Sequence, residues 1–143
     1  KGKIERIINL PNNISFIPVI CYEIIFYWKL LNKFNNKSHF IVNITNDYWF
    51  GNYLGPFQHF YLTKIRAAEF NKPIIRVSNN GISAVIDNNG AILNKTQLNK
   101  TEIFEHKLSF KENNNYISLH LIFKIYLFII FIFTNFYYLR KNA

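Results

Sequence analysis

Apolar residues in this chain come in short runs separated by polar, Asn-rich breaks, and the spacing inside each run predicts an element. Residues 15–21 read Ser-Phe-Ile-Pro-Val-Ile-Cys with almost no alternation, as in a strand covered on both faces. Beyond Glu23 the spacing of Ile24, Trp28 and Leu31 is helical, and Asn35-Asn36-Lys37-Ser38 ends that helix. Residues 40–45 form a second covered strand, and strand, helix, strand predicts a parallel crossover unit. Gly55-Pro56-Phe57-Gln58-His59-Phe60 starts another helix, with Pro in its first turn. Phe57, Phe60, Tyr61, Ile65 and Ala68 make its apolar face, and Arg66 and Glu69, three apart, can pair beside it. Asn71-Lys72-Pro73 stops the helix. Residues 74–77 give a third strand, and 83–86 with 91–93 a hairpin across Asp87-Asn88-Asn89-Gly90. Residues 101–108 predict a last edge strand. Residues 1–13 read as an extended lead-in with a turn at Pro11-Asn12-Asn13.

After residue 108 the pattern changes. Residues 109–116 are a linker by composition, and 117–139 are nearly all Ile, Leu, Phe and Tyr. As a helix that stretch would rise about 34 Å, enough for the ~30 Å hydrocarbon layer of a bilayer. The sequence therefore predicts a transmembrane helix over 117–139, with His120 and Lys124 close enough to one end to snorkel. Arg140 and Lys141 make residues 140–143 a cytoplasmic tail by the positive-inside rule, and the globular part, 1–108, then lies on the exterior side.

Composition narrows the partners. The 143 residues carry a net charge of +9, which suits an anionic partner. The lysines are scattered and the aromatic residues sit in apolar runs, which speaks against nucleic acid and leaves a lipid head group; a general bias toward Lys and Asn gives the same charge with no partner. The chain has no Met, so residue 1 is not expected to be the natural start, and the sequence reads as a fragment or processed product. One cysteine excludes an intramolecular disulfide. His59 and His106 lack metal-ligand spacing, so neither a metal nor another cofactor is expected.

That cysteine, Cys21, ends the first covered strand, which places a thiol at the carboxyl edge of the sheet where a helix begins. A helix N-terminus or a nearby cation activates a thiol as a nucleophile. Free cysteine also serves as an ordinary small buried hydrophobe, and on this stretch alone both readings stand. The second strand runs into Asn46-Asp47-Tyr48-Trp49-Phe50-Gly51, a loop just beyond a strand end, where open α/β sheets hold ligands. The third runs into Ser78-Asn79-Asn80-Gly81, residues that allow a tight turn beside a site.

Taken in order, Cys21-Tyr22-Glu23, the 46–51 loop, Gly55-Pro56-Phe57-Gln58-His59, Arg66-Ala67-Ala68-Glu69 and Ser78-Asn79-Asn80-Gly81-Ile82-Ser83 resemble the carbon–nitrogen hydrolase (nitrilase) superfamily. Within it they are most similar to the apolipoprotein N-acyltransferase family. The resemblance implies an α/β fold, part of a nitrilase-type αββα sandwich, followed by one C-terminal transmembrane helix. It implies a bacterial inner-membrane enzyme whose catalytic part faces the periplasm. Cys21 would take an acyl chain from a membrane phospholipid as a thioester and pass it to the N-terminal amine of an apolipoprotein.

By the same resemblance, the backbone N–H of Tyr22 would be an oxyanion donor and Glu23 a residue needed for activity, though a first-turn glutamate also stabilises a helix start. Tyr48 and Trp49 would shape the acyl or head-group pocket, and Asn46 and Asn79 would hold the loops. The family's catalytic Glu and Lys lie well upstream of its cysteine, and Lys1, Lys3 and Glu5 are too near Cys21 to match them. Two alternatives follow: a membrane-tethered amidase or nitrilase with water as acceptor, and an inactive fragment or non-catalytic partner of a chain that carries the Glu and Lys.

Overall fold

A computed structural model describes residues 7–26, 38–109 and 119–141. The chain divides into two compact units, Lys1–Lys111 and Glu112–Ala143. The first is built on a six-stranded mixed sheet in which spatial order follows chain order: β1 (Ile8–Asn9), β2 (Ser15–Ile20), β3 (Phe40–Asn46), β4 (Ile74–Asn79), β5 (Ala84–Ile86) and β6 (Ile92–Lys95). β2, β3 and β4 are parallel, and the remaining neighbours are antiparallel. Helix α1 (Leu54–Phe70) makes the crossover from β3 to β4. The crossover between β2 and β3 expected from Trp28 and Leu31 lies outside the described residues, as does the 110–116 part of the linker.

Register decides which side chains α1 covers. Ile17, Ile41 and Ile74 stand in one row across the three parallel strands, and Val19, Asn43 and Arg76 in the next. All six are buried, and Phe60, Ala67 and Phe70 of α1 close over the apolar ones. The alternate residues point to the other face, where Ile20, Ile44 and Val77 form a row 51–55 % exposed. α1 ends at Asn71, whose left-handed backbone (φ 51°) lets the N–H groups of Asn71 and Lys72 return to the last carbonyls of the helix.

One expectation is corrected and two are refined. Residues 101–108 form no strand; they have no regular secondary structure and are mostly exposed, Ile103 97 % so, because four of the eight side chains are Glu, His or Lys and no neighbouring strand pairs with them. The lead-in is itself a strand: β1 pairs antiparallel with β2 after a 3-10 turn at Pro11–Asn13. The segment after Cys21 begins as a 3-10 turn, Cys21–Ile24.

The second unit contains helix α2 (Leu119–Lys141). Its described side chains are exposed, including Leu121, Ile122, Phe123, Ile125 and Phe128. The unbroken run of described side chains, 121–135, rises about 22 Å, and among the described residues no helix is long and apolar enough to cross a membrane.

Candidate active site

Cys21 follows the last residue of β2 with φ +48°, in the left-handed region that costs a residue bearing a Cβ about 1–2 kcal/mol. The other described non-glycine residues with positive φ are Asn12, Asn13, Asn71, Asn80 and Asn99, the side chain that tolerates this backbone best. Cys21 alone among them departs from that rule. The turn leaves the sulfur half-buried beside the end of β3, where the Thr45 hydroxyl lies 3.4 Å from Sγ.

Several groups hold this turn. Asn43 Nδ2 donates to the carbonyls of Val19 (3.1 Å) and Cys21 (3.4 Å), the two residues flanking the end of β2. Glu23 reaches back to accept the backbone N–H of Ile20 at 3.0 Å. From α1, Arg66 donates to the carbonyls of Ile24 (3.1 Å) and Ile25 (3.5 Å) and also bonds Glu69. The Arg-Ala-Ala-Glu motif thus ties the helix to the segment leaving Cys21. Tyr22 is half exposed and packs on Phe50 and His59, with ring centroids 6.1 and 5.5 Å away.

Beneath the turn lies a polar cluster drawn from three elements. Arg76, 1 % exposed, donates to Asn43 Oδ1 (2.7 Å), Thr63 Oγ1 (3.0 Å), the Ile82 carbonyl (3.2 Å) and Asp47 Oδ2 (2.6 Å). Asp47 also takes hydrogen bonds from His59 Nδ1 (2.8 Å) and the Ser78 hydroxyl (2.9 Å). Burial pushes the Asp47 carboxyl up, but the His59 bond, the Arg76 charge and the Ser78 hydroxyl together outweigh it and hold the group below the usual carboxylate range. Burial pushes the Arg76 guanidinium down, opposed by the charge and hydrogen bond of the Asp47 carboxylate. His59 Nε2 is buried with no hydrogen-bond partner among the described residues.

The 46–51 and 78–81 loops meet over this cluster. The Asp47 N–H donates to the Asn79 carbonyl at 3.1 Å; Asn46 Oδ1 accepts the Tyr48 N–H at 3.1 Å and the Asn79 amide at 3.5 Å. Gly81 is fixed by contact: a Cβ there would collide with the Asp47 carboxylate and the Ser78 hydroxyl. Tyr48 and Asn79 are exposed, and Trp49 is 82 % exposed. Tyr53, Leu54, Phe57 and Tyr61 extend this exposed aromatic surface along the start of α1. Cys21, Tyr22 and Glu23 therefore share one turn, with Asn46 and Asn79 at the ends of β3 and β4 and Tyr48 and Trp49 on the loop that follows β3. Sequence reading missed Thr45, Asp47, His59 and Arg76 as a unit. Arg76 between Ile75 and Val77 was the available signal, since a guanidinium on the covered face of an apolar strand needs a buried anion.

The fold is an α/β sheet with parallel central strands and a half-buried thiol at its carboxyl edge, on a turn held from a helix. The carbon–nitrogen hydrolase family model matches residues 12–116, and the chain belongs to that family. It is 42 % identical over 99 residues to the apolipoprotein N-acyltransferase of Allorhizobium ampelinum, covering 69 % of this chain and 19 % of that protein. It is 48 % identical over 83 residues to that of Rickettsia typhi (58 % and 16 %), and 37 % identical over 100 residues to that of Vibrio parahaemolyticus (70 % and 20 %). The chain thus spans about one fifth of the length of these relatives. Among solved structures, a nitrilase-superfamily member from Saccharomyces cerevisiae shares the fold, with a TM-score of 0.55 at 18 % identity over 70 % of this chain and 39 % of that one. A Nesterenkonia amidase of the same superfamily gives 0.52 at 14 % identity, over 64 % and 37 %.

Proposed function

We propose that this chain is the nucleophile-bearing part of an apolipoprotein N-acyltransferase. The Cys21 thiolate attacks an ester carbonyl of a membrane phospholipid; the carbon–sulfur bond forms, and the lysophospholipid leaves with a proton. The N-terminal amine of an apolipoprotein then attacks the thioester, an amide forms, and the sulfur is released. The backbone N–H of Tyr22 donates to the oxyanion in both steps. The family's triad also has a Glu and a Lys, and Lys1, Lys3 and Glu5 are too near Cys21 to match them. The reaction needs no metal or cofactor.

One observation carries this reading: among the described residues the other left-handed non-glycine positions are filled with Asn, and the one at the sheet's carboxyl edge holds a half-buried sulfur. The exposed Tyr48, Trp49 and Tyr53 supply apolar surface for an acyl chain. We read α2 as a bilayer span whose orientation leaves the site on the periplasmic face of a bacterial inner membrane. Its 23 helical residues rise about 34 Å. Its polar Thr134 and Asn135 side chains donate back to the Phe131 carbonyl, as residues in a hydrocarbon setting must find internal partners.

The test uses membranes in which the protein is expressed and a phospholipid labelled in its acyl chain. Label should accumulate on the protein, be released by neutral hydroxylamine, and be lost in Cys21→Ala. Absence of label from the unaltered protein, with ammonia released from small amides, would instead establish a membrane-tethered amidase.

A further inference from the structure

We propose that Thr45 is a positioning residue for Cys21, its hydroxyl turning from the Asp47 carboxylate to the sulfur when the thiol ionises. The inference rests on the reading of Cys21 as the nucleophile. Thr45 is buried, and its Oγ1 lies 3.4 Å from Cys21 Sγ and 3.3 Å from Asp47 Oδ1. A hydroxyl has one proton, so it serves one of these acceptors at a time.

The charge on sulfur decides which. While Cys21 is a thiol, the Thr45 O–H rests on the Asp47 carboxylate and the Thr45 oxygen accepts the S–H. When the S–H proton leaves to a base or to solvent, the O–H rotates to the thiolate and makes a charge-assisted hydrogen bond. Asp47 tolerates the loss because His59, Arg76 and Ser78 remain bonded to it. Among the described residues no other hydrogen bond reaches the sulfur. Thr45 thus favours the ionised nucleophile without touching substrate.

Other charged or titratable groups lie on the elements that meet at this turn. Glu23 is in the turn itself, Asp47 follows β3, Arg76 is on β4, and His59 and Arg66 come from α1. Thr45→Val leaves all of them in place, so a change in thiol reactivity reports the hydroxyl.

The experiment measures alkylation of Cys21 by iodoacetamide across pH in the whole chain, with circular dichroism to establish the fold of each variant. In that reaction sulfur bonds the methylene carbon, iodide leaves, and the thiol proton goes to buffer. T45V should slow alkylation about tenfold at neutral pH and move the profile about one unit higher, the equivalent of that factor. T45S should restore the wild-type profile. Superposable T45V and wild-type profiles would overturn the proposal, as would a T45S loss equal to that of T45V. Should T45V fail to fold, T45S decides alone: a loss beyond about twofold overturns the proposal, since the hydroxyl is still present, and a profile within that limit supports it. Slowed alkylation in T45V with no acyl label on the unaltered protein keeps this inference and removes the acyl-transfer reading; labelled protein with an unchanged T45V profile does the reverse.

Discussion

The two faces of β2, β3 and β4 invert the usual arrangement near their carboxyl ends. The face under α1 carries Asn43, Thr45 and Arg76, all buried, while the opposite face carries Ile20, Ile44 and Val77, all exposed. Polar groups survive inside because the Asn43, Arg76 and Asp47 side chains are met by specific partners. Apolar groups outside have no such justification within the described residues. Parallel strands are ordinarily covered on both faces. The covered face thus holds the Cys21 turn in place, and the opposite face is left uncovered by the described residues.

The strongest challenge to that contrast is Arg76→Met. It leaves the Asp47 carboxylate buried without its cation, and the loss of one partner from a buried pair costs about 3–5 kcal/mol. Urea unfolding followed by circular dichroism should show a midpoint far below wild type, or no cooperative transition at all. If Arg76→Met unfolds like wild type, the cluster contributes nothing to the covered face.

Acid should act through the same pair. Asp47 ionises below its ordinary value of 3.8, so the stability it contributes is fully present above that pH and is lost as pH falls through the lower value in the folded chain. Thermal melts at descending pH should show this loss only below about 3.8, and Asp47→Asn should remove that part of the acid dependence.

Gly81→Ala tests the loops above the cluster. A methyl group aimed at the Asp47 carboxylate and the Ser78 hydroxyl should cost about 1–3 kcal/mol in the same urea assay. The smallest effect is expected on the open face. Ile44→Thr should change stability by less than ~0.5 kcal/mol and reduce self-association measured by light scattering. A large destabilisation there would show that the face is not open in solution.

Much of this architecture was legible from hydrophobic patterning. The apolar runs at 15–21, 40–45 and 74–77 announced the three parallel strands, though the first two read as covered on both faces and the row Ile20, Ile44 and Val77 is exposed among the described residues, and Pro56 in the first turn marked α1. The hairpin was visible in Asp87-Asn88-Asn89-Gly90, where Asp87 Oδ1 accepts the N–H groups of Asn89 and Ala91. Residues 101–108 misled because propensity does not supply a neighbouring strand. The cluster was illegible for another reason. Asp47, His59 and Arg76 are separated by whole elements, and only register brings Arg76 level with Asn43 and sets Asp47 beside His59. Cys21 stood out early as the lone thiol, but its backbone geometry left no trace in residue order.

The left-handed turn at position 21 also separates ease of folding from chemistry. Asparagine would relieve the backbone there as it does at the other described left-handed positions, whereas only cysteine leaves a sulfur at the sheet's carboxyl edge.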